Sequence, residues 1–272
     1  HFVHQAESRS MVELLHKYVA QIDTIHGKAG RLLLGLNAEH DRQLITCSAD
    51  DFEKHREPRY ATRNGEEITT PFHLSMIESG ESAYGAGEHF KFERSFSDPV
   101  WQHIWNVARF GQSTTLLPDG RYIQIGGEHE DYYDPDFFIY NDVIVHTPPT
   151  AESEPWQRQV FAYPADVFPP TDFHTATLLG DEIIVIGNLG YMDARVPGYT
   201  PVYALNIISL QFRPISCSGS SPGWIHQHRA TPARSGVISV NEGSGLNEHK
   251  KFHSQQFTWE LDVAAARWTQ VR

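Results

Sequence analysis

The sequence predicts a mainly β chain in which antiparallel sheet units repeat behind an N-terminal helix-containing segment. Three observations carry this. Segments beginning at Ser113, Thr175 and Arg229 lie over one another, with Thr115, Thr177 and Thr231 in register 62 and 54 residues apart. Each segment reads as strand, tight turn, strand and a Gly-rich stop. Aromatic residues make up 12% of the chain, 11 Tyr and 6 Trp among them, and sheets use such side chains readily. A sustained period marks a repeated supersecondary unit.

From the N-terminus, residues 9–26 carry Val12, Leu15, Val19, Ile22 and Ile25 at helical spacing, with Gly27 placed to end the helix. Short strands are expected at 31–36 and 43–47. From Ser48 to Gly87 the chain is polar, charged and Gly-containing, and it reads as loop-rich. His89–Arg94 and Pro99–Val107 read as paired strands, with Trp101 and Trp105 as packing aromatics. The chain then divides into 1–88, a helix and a loop-rich segment with the option of supplying a first sheet unit, and 89–272, the repeats. The second halves of the repeats align on Asp142-Val-Ile-Val, Asn206-Ile-Ile-Ser and Asp262-Val-Ala-Ala. Each follows an aromatic (Tyr140, Tyr203, Trp259) and precedes another (Trp156, Phe212, Trp268).

These residues resemble the kelch repeat, in which an apolar strand ends in a Gly pair and a Tyr and a Trp follow. Gly126-Gly127 matches the pair, Gly187-Asn188 matches half of it, and Asn241-Glu242-Gly243 is degenerate. The resemblance covers about residues 108–272. It implies β-propeller blades, four-stranded antiparallel sheets stacked around an axis. At least three blades are expected, each with two apolar faces that only a neighbour covers. A fourth would draw on 31–36, 43–47, 89–94 and 99–107. Without it the propeller is incomplete, and a partner or self-association covers its edges.

The formal net charge is −12, from 34 Asp and Glu against 22 Lys and Arg. No basic cluster is present to hold phosphates, which argues against nucleic acid. The acidity suits solubility or a basic protein partner. Two cysteines, Cys47 and Cys217, make no disulfide framework, and a cytoplasmic setting is the simpler reading. No window approaches the ~18 apolar residues of a membrane span. His226-Gln-His228 and His249-Lys-Lys-Phe-His253 have ligand-like spacing, yet zinc sites usually add Cys or carboxylate ligands, and Lys250 and Lys251 oppose a cation at the second pair. The acidic run Glu128–Asp136 lacks the spacing of a calcium loop. No phosphate loop, dinucleotide fingerprint or nucleophile elbow occurs, and no cofactor is expected.

In a blade with strands a to d, the b–c and d–a loops share one end. Here those loops are long: 128–137, 189–200 and 244–254, with 163–174 and 217–228 beside them. Binding residues concentrate in loops held by a rigid scaffold. Tyr, Trp and Arg are the usual anchors of interfaces. The candidate binding set is therefore Tyr132, Tyr133, Asp134, Tyr191, Arg195, Tyr199, Trp224, His226 and His228. The expected function is a kelch-type protein–protein interaction module, an adaptor or an inhibitor such as an immunity protein, rather than an enzyme. The alternative is a propeller enzyme of isomerase or oxidase type acting on a sugar or similar polar molecule. Arg109, Asp172, His174, His228 and Arg229 would then line the inner strands. The Cys-linked Tyr and two His of a galactose-oxidase-like copper site find no match here.

Overall fold

The computed structural model describes residues 45–92, 103–129, 137–151 and 154–271. The helix expected at 9–26 and the strand at 31–36 lie outside them. Between Ser48 and Phe90 the chain is not loop-rich. It forms helices α1 (Ala49–His55), α2 (Pro71–Ser79) and α3 (Ala83–Phe90), with strand β1 (Glu66–Ile68) after α1. Local capping explains them. The Ser48 side chain accepts from Asp51 N–H while the Asp51 carboxylate accepts from Ser48 N–H, a reciprocal cap on α1. Thr70 caps α2, Pro71 opens it and Gly80 ends it at φ 63°. Ser82 caps α3. The described parts of the paired strands expected at 89–107 are not strands: His89 and Phe90 finish α3, and 103–107 carry no strand. Residues 45–47 form none either.

The rest is mainly β, built of several antiparallel sheets. Sheet 1 contains β2 (Ser113–Leu116) and β3 (Tyr122–Ile125) and, past the small hairpin β4 (Glu128–His129) and β5 (Phe138–Ile139), β6 (Val143–Thr147) and β7 (Gln157–Ala162). These four pair in chain order, and β1 adds to the outer edge of β7. Sheet 2 is β8 (Thr175–Leu179), β9 (Glu182–Ile186), β10 (Val202–Asn206) and β11 (Phe212–Pro214), again in order. The connection to sheet 3 carries β12 (Ser218–Gly219) and β13 (Ile225–His226). Sheet 3 is β14 (Arg229–Arg234), β15 (Val237–Asn241), β18 (Trp259–Asp262) and β19 (Arg267–Gln270), with β12 parallel to β19 at its edge. Between β15 and β18 the chain makes the hairpin β16 (Ser244–Leu246) and β17 (Phe252–Ser254), which joins β13.

The first strands are in one register. Thr115, Thr177 and Thr231 face Ile123, Ile184 and Ser239 at the same place in each sheet. The second-half alignment is corrected in sheet 1. Asn206 and Asp262 end their third strands, whereas Asp142 stands just before β6 begins, so Thr147 is the residue in their place. Ile144, not Tyr140, holds the position of Tyr203 and Trp259. Arg158, not Trp156, holds that of Phe212 and Trp268.

Among the described residues there are three apolar layers. One joins the helices to sheet 1 through Phe52, Phe72, Met76 and Ile77 against Ile144, Val160 and Ala162. The second lies between sheets 1 and 2, with Ile123, Val145 and Phe161 against Ile183, Val185 and Phe212. The third lies between sheets 2 and 3, with Ile184, Ile186 and Ala204 against Ile238, Trp259, Leu261 and Trp268. The expectation of two apolar faces per sheet fails for sheet 3. Strand alternation puts Thr231, Ser239, Glu260, Thr269 and Arg267 on its other face, none of them fully buried.

Backbone bonds stitch successive sheets at their loop end. Phe173 N–H donates to Gly111 O at 2.7 Å, and Gln227 N–H donates to Phe173 O at 2.8 Å. Gly111, Phe173 and Gln227 take the same left-handed turn, φ 63°, 48° and 52°, just before the first strand of each sheet. Just past that turn, side chains repeat the stitch: Ser113 Oγ bonds His174 Nε2 at 2.7 Å and Thr175 Oγ1 bonds His228 Nε2 at 2.8 Å.

Candidate binding face

The loops between second and third strands, and those entering each first strand, share one end of the sheets. Polar bonds fix those around sheets 2 and 3 to one another. Thr200 Oγ1 donates to Gly223 O at 2.7 Å, Trp224 Nε1 donates to Leu189 O at 3.2 Å, and Gln255 Nε2 donates to Pro222 O at 2.9 Å. Ser221 Oγ donates to Gly198 O at 3.0 Å. This is a firm support on which to display side chains.

What it displays differs from the sequence-based set. Tyr132, Tyr133 and Asp134 lie outside the described residues. Trp224, His226 and His228 are buried, so they build the loop face and do not present themselves on it. Tyr191 is largely covered, and its hydroxyl accepts from Ile139 N–H at 2.9 Å, tying the loop of sheet 2 to β5. Burial raises its pKa far above the usual phenol range. Arg195 is half-buried, its guanidinium donating to Leu189 O at 2.9 Å and to Gly190 O at 2.8 Å. Tyr199 alone of the described set is an exposed aromatic.

Sequence reasoning missed four residues beside it, Met192, Val196, Phe252 and Phe257. Met192, Val196, Tyr199, Phe252 and Phe257 are between 38% and 57% exposed, and all five sit on the loops between the second and third strands of sheets 2 and 3. The Arg195 guanidinium lies over the Phe252 ring at 5.1 Å and bridges the two loops. An apolar residue inside a polar loop is the signal that marks them. It is weak in a sequence, because loop residues that pack inward look the same.

Beneath the surface lies a carboxyl pair. Asp172 is wholly buried; its Oδ1 accepts from Gly190 N–H at 2.6 Å and its own N–H donates to Asn188 Oδ1 at 3.0 Å. Its Oδ2 meets no N–H or O–H donor. The Glu128 side chain stands next to it, and two carboxyls bond only by sharing a proton. Burial drives the Asp172 pKa upward, opposed by the Gly190 N–H, the Glu128 contact and the Arg195 charge. Such a pair can hold or release a proton.

Of the other polar residues expected along the inner strands, Arg109, His174 and His228 are committed to structure. Arg109 makes a two-pronged ion pair with Asp142, Nη2 to Oδ2 at 3.0 Å, and lies 3.4 Å over the Tyr140 ring. Trp105 Nε1 donates to the same carboxylate at 2.6 Å. The Tyr140 hydroxyl in turn bonds His129 Nδ1 and accepts from Asn106 N–H. His174 and His228 hold the preceding sheets, as described. Desolvation pushes each of them down to about 3. Arg229 is exposed at the rim and pairs only distantly with Glu242, at 3.9 Å.

No helix among the described residues is long and apolar enough to cross a membrane. No group of three His, Cys, Asp or Glu among them is placed to hold a metal ion.

No family model matches the chain, and no curated protein does. Among solved structures the chain is similar to that of YjhT, at 12% identity and a TM-score of 0.43, over 61% of this chain and 52% of that one. The chain thus spans about half the length of YjhT.

Proposed function

We propose that the three sheets are blades of an open, kelch-like β-propeller, and that the chain binds a protein partner through the face formed by its long loops. The observation that carries this reading is the group of five exposed apolar side chains, Met192, Val196, Tyr199, Phe252 and Phe257, gathered on two adjoining loops. Exposed apolar patches on a rigid support mark interaction sites. An aromatic and methionine-containing surface beside a fixed arginine has the composition of an interface centre. The net charge of −12 favours a basic partner by steering.

The test is affinity capture at neutral pH with wild type, a Met192→Glu/Phe257→Glu variant, and an Ile208→Glu variant. Ile208 is exposed in the turn between β10 and β11, at the opposite end of the sheets. A partner held by wild type and Ile208→Glu but lost by the loop-face variant supports the reading. Equal capture by all three sinks it.

One observation favours the enzyme reading. The buried Asp172, its pKa raised by desolvation with the partly buried Glu128 and Arg195 beside it, is a group of the kind acid–base chemistry uses. Saturable turnover of a polar small molecule that Asp172→Asn abolishes, without loss of fold, would move the function to that group.

A further inference from the structure

We propose that His226 is an acid-sensitive latch of the loop face: while neutral it seats the β16–β17 hairpin, and when protonated it lets that hairpin and its Phe252 go. This rests on the loop face being the binding surface, and it adds that binding there is switched off by acid.

The latch is built from three contacts. His226 belongs to β13, which pairs with β16 through Ile225–Gly245 and His226–Ser244. Its ring meets the Phe252 ring edge-on, with centroids 4.6 Å apart and planes at 81°. Arg195 covers the same Phe252 ring from the neighbouring loop. Phe252 is thus held between a histidine and an arginine, and it is one of the five exposed apolar side chains.

His226 fits this place only while uncharged. Both ring nitrogens are buried, and neither has a hydrogen-bond partner. A neutral imidazole there behaves as a small aromatic. Protonation leaves two N–H donors without acceptors, an unfavourable state in a dry site. Every charge that faces it makes this worse or neutral. Arg195 comes from the loop after β9 and is positive. His228 and His174 come from the inner strands and are uncharged while buried. From β17, His253 lies beside Gly245, and β16 itself, Ser244–Leu246, brings no ionisable side chain. The Asp172 carboxyl interacts with Arg195 and is not among the charges that act on His226. Desolvation, then Arg195, pushes the His226 pKa down to about 4. The seated form is therefore fully favoured above about pH 6.5, the value for an open histidine, and it loses ground as pH falls from there toward 4.

The hairpin is the element able to give way. β17 is exposed along its whole length. It is anchored through Leu246 N–H to Trp224 O, Gln255 N–H to Gly243 O and the Gln255–Pro222 bond. Elements with few buried contacts open locally before the whole fold does.

Hydrogen exchange on the full chain tests this at pH 7.5 and pH 5, corrected for intrinsic rates. Exchange over 244–258 is expected to rise about thirtyfold at pH 5, the factor for a group with a pKa of about 6.5 when released and about 4 when seated, while β3, β6 and β9 stay protected. His226→Leu should abolish the rise and His253→Gln should keep it. An unchanged rise in His226→Leu, or no rise in wild type, overturns the latch. If His226→Leu does not fold at pH 7.5, the wild-type imidazole is followed by NMR with labelled histidine. Its titration must then coincide with the opening of 244–258, and a mismatch overturns the proposal. Loss of partner capture by Met192→Glu/Phe257→Glu bears on the binding surface alone, because the latch is made of the β13–β16 pairing and the His226–Phe252 and Arg195–Phe252 ring contacts. The two ideas therefore fail separately.

Discussion

Sheets 2 and 3 have the same strand order and closely similar registers, but only one of them is built to have a sheet on both sides. Sheet 2 buries Ile183 and Val185 toward sheet 1 and Ile184 and Ile186 toward sheet 3. Past Glu182 its second strand is an unbroken apolar run, Ile183 to Ile186. Sheet 3 alternates instead, with Ile238 and Val240 turned in and Ser239 and Asn241 turned out. Polar alternation is what a solvated sheet face requires, and terminal members of a stacked array carry such a face.

The glycines mark the same difference. At Gly126 and Gly187 an added Cβ would stand 2.2 Å from Thr171 O and 2.5 Å from Ile225 O, each a carbonyl of the next sheet's entry loop. The equivalent residue of sheet 3 is Glu242, which keeps the left-handed backbone at φ 60° yet carries a side chain. The motif is degenerate there because, among the described residues, no following loop presses on it. Arg229 shows the same logic. It stands where Ser113 and Thr175 reach the next histidine, and it is exposed.

Trp268→Ala has the largest expected effect on this contrast. The ring is buried between sheets 2 and 3, and its removal should cost about 3–5 kcal/mol by urea denaturation. Thr269→Ala, one residue along on the outer face, should stay within about 0.5 kcal/mol. A comparable loss at both positions would mean that the outer face is covered in solution.

Gly187→Ala comes next. Clash with Ile225 O and a left-handed backbone together should cost more than about 2 kcal/mol. Glu242→Gly relieves the same backbone preference with nothing to collide with, and should raise stability by up to about 1 kcal/mol. Destabilisation by Glu242→Gly would show that its side chain has a contact that matters.

Acid should separate the inner strands. His174 and His228 are neutral when folded and held down to about 3 by burial, against about 6.5 when unfolded. The unfolded chain therefore binds more protons below pH 6.5, and stability falls from there toward pH 3. His228→Gln keeps an amide to meet Thr175 but cannot protonate. Its urea midpoint should be lower than wild type at pH 7.5 and fall less steeply between pH 6.5 and pH 4. Parallel pH curves would remove His228 from the effect.

Much of this was legible in the sequence, and the failures have physical causes. The threonine register and the tight turns survive because a strand pair and its turn are local. The capping signals Ser48 with Asp51, and Thr70-Pro71 with Gly80, were present, but polar composition and the glycines of α3 hid three short helices. The second-half alignment failed in sheet 1 because that sheet meets helices where the others meet a sheet. Phe212 and Trp268 face the preceding sheet, and at their position sheet 1 has Arg158, 4.0 Å from Glu78 of α2. A repeat unit with a different neighbour loses the residue that defines the repeat. At the site, residue type pointed to the loop face but not to exposure. Trp224 and His226 were sensible interface residues that the fold uses as framework, while Met192 and Phe257 carried no pattern.

The smallest effect expected sits on the outer face of sheet 3. Arg234 donates to Glu260 at 2.7 Å across β14 and β18, and the arginine side chain is 64% exposed. An exposed pair of this kind contributes about 0.2–1 kcal/mol and is screened by salt. In a double-mutant cycle with Arg234→Ala and Glu260→Ala, the coupling should lie in that range at low ionic strength and shrink toward zero in molar salt. Its value as a test lies in the salt response. A pair facing water must lose its coupling to mobile ions. A pair closed in by another sheet or a second molecule keeps most of it, and each single substitution then costs more because it strands a buried charge. Coupling that persisted in high salt would mean that sheet 3 is not the open end of the array, and the difference between sheets 2 and 3 would disappear.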